Sequence, residues 1–142
     1  MTAKEYLSQA KYLDVRINAK INQLSSLNDL ATKATSTISD MPKSMNSATS
    51  SLENTVVKII TLQTEINKDI DSLVDLKREI AAVINKVEDV RLRLILEKRY
   101  LSYEKWEMIA VDMQTEIRTI YREHGYALEE VEKILNSAES CQ

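Results

Sequence analysis

The residue types that could carry binding chemistry are concentrated in one short run of the sequence. Arginine presents a planar fork of N–H donors that fits a guanine edge or a phosphate, while threonine and tyrosine can contact a phosphate or a thymine methyl group. Four residues combine these types within a few positions: Arg118, Thr119, Tyr121 and Arg122. We expect them to face a DNA groove, with Lys105 and Arg99 on flanking phosphates.

Short helices must present these side chains. Ser102 is a suitable N-cap for a helix that ends near Met113, and Thr115 can cap a following helix that runs to about Leu135. Gln114 alone would join the two, and a turn this tight is what a helix-turn-helix requires. By pattern alone, three amphipathic helices that only form a small core are the commoner explanation.

A heptad pattern dominates the centre of the chain. Aliphatic residues return at every seventh position from Leu52 to Leu94, and neither Gly nor Pro interrupts the run. A helix this long must lie against another helix. A second series, from Ala3 to Ile38, supplies the partner, and a capping box formed by Thr2 and Glu5 marks its start.

These patterns predict an all-α fold with two parts. Residues 1–88 would form a long antiparallel helical hairpin, with a loop near 39–50 around Pro42. Residues 89–142 would form a small unit of three helices with an acidic tail, separated from the hairpin by a break near Asp89. The loop also permits exchange of the hairpin between two chains, so a homodimer is one alternative.

Composition excludes several classes of function. The chain has 142 residues, a formal net charge of −3, and a single cysteine and histidine each. No nucleophile lies beside a base, no Gly-rich loop could hold a phosphate, and His124 lacks a second ligand for a metal, so we expect neither an enzyme nor a cofactor. With no signal peptide or membrane span, the expected location is the cytoplasm.

Three segments carry a resemblance to a known family. They read EKRYL at 97–101, WEMIAVDM at 106–113 and IYREHGYAL at 120–128, and shorter similarities occur at 5–7, 30–37 and 75–80. The chain resembles small phage-encoded proteins whose C-terminal part is similar to sigma factor region four. This resemblance implies a phage or prophage transcriptional regulator in a bacterial host, with a helix-turn-helix presented to DNA or to RNA polymerase.

Two positions depart from the pattern of that family. Gln114 stands where a turn glycine is expected, at a higher steric cost, and Glu116 places a carboxylate that repels phosphate near the groove-facing helix. These departures favour an alternative function. In it, the helical hairpin is a coiled-coil interaction module that binds a host or phage protein without contacting DNA.

Overall fold

The computed structural model describes the backbone of residues 1–40 and 45–140 and the side chains of residues 1–33 and 50–139. All regular structure in these ranges is helical, and they contain no strand, so the predicted all-α class is confirmed. A π-helical turn, Glu97–Leu101, directly continues the third helix. The helices are α1 (Ala3–Asp40), α2 (Met45–Asn85), α3 (Val90–Leu96), α4 (Trp106–Asp112) and α5 (Ile117–Ser140).

Helix α1 begins with the predicted capping box. Thr2 Oγ1 accepts a hydrogen bond of 3.2 Å from the backbone N–H of Glu5, and the Glu5 carboxylate accepts one of 2.9 Å from the N–H of Thr2. Two backbone donors at the helix start are thereby satisfied.

Helices extend into both ends of the range predicted as a loop, residues 39–50. Helix α1 continues to Asp40 and α2 begins at Met45. Ser, Asn and Asp do not prevent this, because each weakens a helix by only a fraction of a kcal/mol, roughly 0.7 at most. The turn predicted at Pro42 lies outside the described residues.

The chain forms two compact units. One contains residues 14–72 and is called here the two-helix unit; the other contains residues 1–13 and 73–142 and is called the five-helix unit. The boundary predicted between residues 88 and 89 falls inside the five-helix unit.

In the two-helix unit, ion pairs join α1 to α2. Lys20 Nζ lies 2.5 Å from Asp69 and 3.7 Å from Glu65, and Arg16 lies 3.8 Å from Asp69. The hydrogen bond from Lys20 lowers the pKa of Asp69. Because later residues of α1 meet earlier residues of α2, the two segments run in opposite directions. Among the side chains of this unit that the structure describes, the buried aliphatic ones are Ile17, Leu62 and Ile66.

The five-helix unit has a main core built from both ends of the chain. Small residues of α1, Ala3 and Ala10, are buried in the same cluster as Ile80 of α2 and Val131 of α5. Alanine lets helices approach closely because its side chain is a single methyl group. The other buried members are Leu7, Ile84, Val87, Leu96, Tyr100 and Ala127.

A smaller core holds α3, α4 and α5 together. Its buried members are Ile95, Ile109, Ala110 and Ile120. Asp89 begins this part of the chain, since its carboxylate accepts the backbone N–H groups of Arg91 at 2.9 Å and Leu92 at 3.2 Å and so caps α3. The predicted break near Asp89 is therefore confirmed.

Candidate nucleic-acid interface

Helix α4 begins later than predicted. Tyr103 has a φ of 57°, in the left-handed region, so a right-handed helix cannot start directly after Ser102. The N–H of Ser102 instead donates to the Glu97 carbonyl and closes the π-helical turn. Lys105 has an extended backbone and precedes the first helical residue, Trp106. The prediction of a helix capped by Ser102 was therefore wrong.

A tight turn joins α4 to α5. Gln114 has a φ of 51°, which is the left-handed conformation that a glycine would adopt without steric cost. Its N–H donates to the Val111 carbonyl at 3.1 Å, and the N–H of Thr115 donates to the Ala110 carbonyl at 3.0 Å. These two bonds form a Schellman motif, which satisfies carbonyl groups at the end of α4. The steric cost predicted at Gln114 is thus present in the structure.

Thr115 does not cap α5. Its hydroxyl donates to the Met113 carbonyl at 2.9 Å and accepts a hydrogen bond of 2.7 Å from Arg91. Helix α5 begins two residues later, at Ile117, and the carbonyl of Glu116 accepts the N–H of Ile120. The cap predicted at Thr115 was wrong because this residue completes the turn after α4.

The first turns of α5 expose a basic and aromatic face. Arg118, Tyr121 and Arg122 follow helical spacing on one side, all three are exposed, and Tyr121 is 47% accessible. Thr119 lies at the edge of this face and is half-buried. Among the described side chains, those of residues 1–33 and 50–139, no partner forms an ion pair with either arginine. Both guanidinium groups are therefore available to a ligand.

The two flanking cations differ in their surroundings. Lys105 is exposed and, among the described residues, its side chain has no acidic partner. Arg99 is half-buried, with its guanidinium carbon 4.5 Å from the centre of the Trp106 ring and one N–H donating to the Glu104 carbonyl at 3.0 Å. Lys105 can move toward a phosphate, whereas Arg99 is already fixed by its neighbours.

An aromatic cluster fixes the orientation of α5. The Trp106 ring makes edge-to-face contacts with Tyr121, at 5.4 Å between centroids, and with His124, at 4.5 Å. The Tyr100 hydroxyl shares a hydrogen bond of 2.7 Å with Nε2 of His124. His124 is only 8% exposed, and burial, followed by the charges of Lys4 and Arg99, lowers its pKa to about 4.

Other cations of this segment are neutralised by acidic partners. Arg91 lies 2.7 Å from Glu123, and this hydrogen bond raises the pKa of Arg91. Lys98 lies 3.2 Å from Asp112 and 3.6 Å from Glu104, and the bond to Asp112 is the main cause of its raised pKa. These ion pairs link neighbouring helical segments, and because each cation is paired it contributes little to the positive potential at the protein surface.

The protein was compared with protein-family models, curated proteins and solved structures. None of the three comparisons gave a match. In the described part of the chain, no three His, Cys, Asp or Glu side chains are placed to hold a metal ion. No helix among the described residues is long and apolar enough to span a membrane.

The exposed face at the start of α5 presents several groups that can bind a ligand. Arg118 and Arg122 offer planar donors, Tyr121 offers a ring and a hydroxyl, and Glu116 is exposed beside them at the start of α5. The sequence indicated these residues by type and spacing. It gave no indication that Tyr100, far away along the chain, hydrogen-bonds to His124 beneath this face, because that contact arises from tertiary packing.

Proposed function

We propose that the protein binds double-stranded DNA through α4 and α5, acting as a helix-turn-helix in a regulator that resembles small phage-encoded proteins whose C-terminal part is similar to sigma factor region four. The observation that supports this function is the pair Arg118 and Arg122. Both are exposed one helical turn apart and have no acidic partner among the described residues, whereas the nearby cations Arg91 and Lys98 are neutralised. Unpaired arginines on one helix face suit base edges and phosphates.

In this function the first turns of α5 enter the major groove. Arg118 and Arg122 contact guanine or phosphate oxygens, while Tyr121 and Thr119 contact phosphates or a thymine methyl group. Lys105 contacts a flanking phosphate. The N–H groups of Arg99 that do not bond to Glu104 remain available for a second phosphate.

In this proposal the long helices α1 and α2 form an antiparallel hairpin. Its role would be to bring two copies together on DNA or to contact RNA polymerase. Exposed aliphatic side chains in the two-helix unit support a protein contact there, since Val57 is 62% and Ile60 is 56% exposed.

The exposed aliphatic side chains of the two-helix unit also support a second candidate function, a protein-interaction module that does not contact DNA. Leu30 of α1 is 55% exposed, in addition to the aliphatic residues of α2. The exposed carboxylate of Glu116 beside the arginine face also opposes phosphate binding. In this alternative the hairpin binds a host or phage protein, and α3 to α5 only stabilise one unit.

A fluorescence-anisotropy titration with pooled duplex DNA separates these functions. The titration is made at about 50 mM and about 200 mM salt, because neutralised phosphates make affinity fall steeply with salt. Wild-type protein should bind in a salt-dependent way. The Arg118→Ala, Arg122→Ala variant should lower the slope of log affinity against log salt by about 2 if both residues contact phosphates.

The matched control is Lys86→Ala, Lys133→Ala, which removes the same charge from the same unit. Lys133 lies fifteen residues after Arg118 on α5, about 22 Å further along the helix. The control should bind DNA like the wild type. Absence of binding at both salt concentrations, or equal loss in both variants, would exclude the proposed interface and leave the protein-interaction module.

A further inference from the structure

A cleft of about 210 Å³ opens in the five-helix unit and is lined in part by Trp106, which also contacts Tyr121 of α5. Helix α1 provides one wall, and the π-helical turn with the start of α4 provides the other. Its lining residues, all polar or aromatic, are Lys4, Ser8, Lys11, Tyr12, Arg99, Tyr100 and Trp106.

The lining carries positive charge without compensation. Lys4, Ser8 and Lys11 are spaced four and three residues apart, so they lie along one stripe of α1. No aspartate or glutamate is among the described residues that line the cleft, and within the described ranges Lys4 and Lys11 form no ion pair. Arg99 brings a third cation. Three like charges around one cleft repel each other, and an anion would relieve that repulsion.

His124 lies close to two of these cations. It contacts two residues that line the cleft, Trp106 and Tyr100, and is almost completely buried. Burial, followed by the charges of Lys4 and Arg99, lowers its pKa, and no acidic group acts in the opposite direction. The charges of two separate walls of the cleft therefore converge at one point.

The size and the donors of the cleft define the ligand. Its volume is below the roughly 300 Å³ at which pockets for drug-sized molecules begin, so it fits one small group better than a whole nucleotide. Arg99 is held in place by Trp106 and by the Glu104 carbonyl, which leaves further N–H donors of its rigid fork unused. Two lysines and the Ser8 hydroxyl complete a set of donors without an acceptor carboxylate.

We propose that this cleft is a binding site for a phosphate group, held by Lys4, Lys11 and Arg99. The site does not depend on the proposed DNA-binding function, because a phosphate can come from a DNA backbone or from a free phosphorylated molecule. Its position next to Trp106, which contacts Tyr121 on α5, would suit a backbone phosphate of a duplex on the α5 face.

The chain itself contains the reporter for a test. Trp106 is the sole tryptophan and lines the cleft, so the intrinsic fluorescence of the full chain reports on occupation of the site. Inorganic phosphate is titrated at constant ionic strength, adjusted with sodium chloride. Wild-type protein should show a saturable change in emission.

Three double variants separate binding at a specific site from a general effect of charge. Lys4→Gln, Lys11→Gln should weaken phosphate binding at least tenfold, while Lys86→Gln, Lys133→Gln should leave it unchanged. All four lysines are exposed, so both variants should keep the far-UV circular dichroism of the wild type. Lys4→Arg, Lys11→Arg should retain binding. A wild-type emission that does not respond, or equal weakening in both glutamine variants, would overturn the site.

A second arm with a short duplex in place of phosphate identifies the source. If the duplex changes Trp106 emission in wild type but not in Lys4→Gln, Lys11→Gln, the phosphate belongs to a DNA backbone. If inorganic phosphate changes Trp106 emission and the duplex does not, the source is a free phosphorylated molecule. The Arg118→Ala, Arg122→Ala variant should still bind inorganic phosphate, so failure of the α5 interface and failure of the cleft give different results.

Discussion

Tyr100 and His124 share a buried hydrogen bond of 2.7 Å, with their rings stacked at 5.7 Å between centroids. The bond joins the π-helical turn after α3 to the middle of α5. Because the Trp106 ring also packs on His124, this pair supports the exposed face of α5 from below. Protonation of His124, or loss of the hydrogen bond from Tyr100, should therefore have measurable effects on stability.

Stability should fall on acidification because His124 is buried in its neutral form. Its pKa is lowered from 6.5 to about 4, so between these values the unfolded chain binds a proton that the native chain does not. The free energy of unfolding should therefore decrease as pH falls from 6.5 toward 4, by an amount on the order of 2 kcal/mol. Urea denaturation at about pH 7 and about pH 5 measures this change.

His124→Gln provides the control for that experiment, since glutamine is polar and does not titrate. The free energy of unfolding of the variant should decrease less between the two pH values. A decrease as large as that of the wild type would show that other titratable groups cause the effect. As the sole histidine, His124 also gives a single set of imidazole signals in NMR spectra. The pH titration of these signals should have its midpoint near pH 4.

Replacing Tyr100 by phenylalanine should destabilise the five-helix unit. The change removes only the hydroxyl and leaves Nε2 of His124 buried without a partner, which costs about 1–3 kcal/mol. Tyr126→Phe is the matched control, because Tyr126 is 51% exposed. Thermal unfolding followed by circular dichroism should show a lower midpoint for Tyr100→Phe alone, and equal midpoints would contradict the role of the hydrogen bond.

Gln114→Gly should stabilise the protein, which is the opposite of the usual effect of a new glycine. Gln114 has a left-handed backbone, and that conformation costs a residue with a side chain roughly 1–2 kcal/mol. Gln114→Val tests the same position in the other direction, because a β-branched side chain fits a positive φ poorly. Urea denaturation should rank glycine above glutamine and glutamine above valine. Any other order would show that the turn relaxes when the side chain changes.

Asp89→Ala should loosen the start of α3. The carboxylate accepts two backbone N–H groups, and loss of such a cap typically costs about 1 kcal/mol. Glu88→Ala removes an adjacent exposed carboxylate that does not cap the helix, so it should have little effect. Hydrogen exchange at the amides of Arg91 and Leu92 should accelerate in the first variant only. Equal acceleration in both would point to net charge as the cause.

Several features that depend on neighbouring residues were predictable from the sequence. The capping box at Thr2 and Glu5, the break at Asp89 and the strained turn at Gln114 each involve residues close together along the chain. Local hydrogen bonding and backbone sterics decide such features, and both follow directly from residue type.

Some other local features, and contacts between distant residues, were not predictable. The start of α4 was predicted too early because Tyr103 adopts a left-handed backbone that tyrosine rarely accepts. The sequence also did not predict that Arg99 lies on the Trp106 ring and donates to the Glu104 carbonyl, which leaves its other N–H groups available to a phosphate. The cleft joins Lys4 to Arg99 across most of the chain, and no sequence pattern predicts such a contact.

The five-helix unit contains residues from both ends of the chain, and the backbone N–H of Ala3 donates to the Glu132 carboxylate across 129 positions. During synthesis, the first turns of α1 must therefore wait until α5 has left the ribosome before Leu7 and Ala10 can be buried in the complete core. Lys20 and Asp69, only 49 positions apart, can meet much earlier. A nascent chain arrested before α5 would thus expose part of the apolar stripe of α1 and be vulnerable to proteases until α5 emerges.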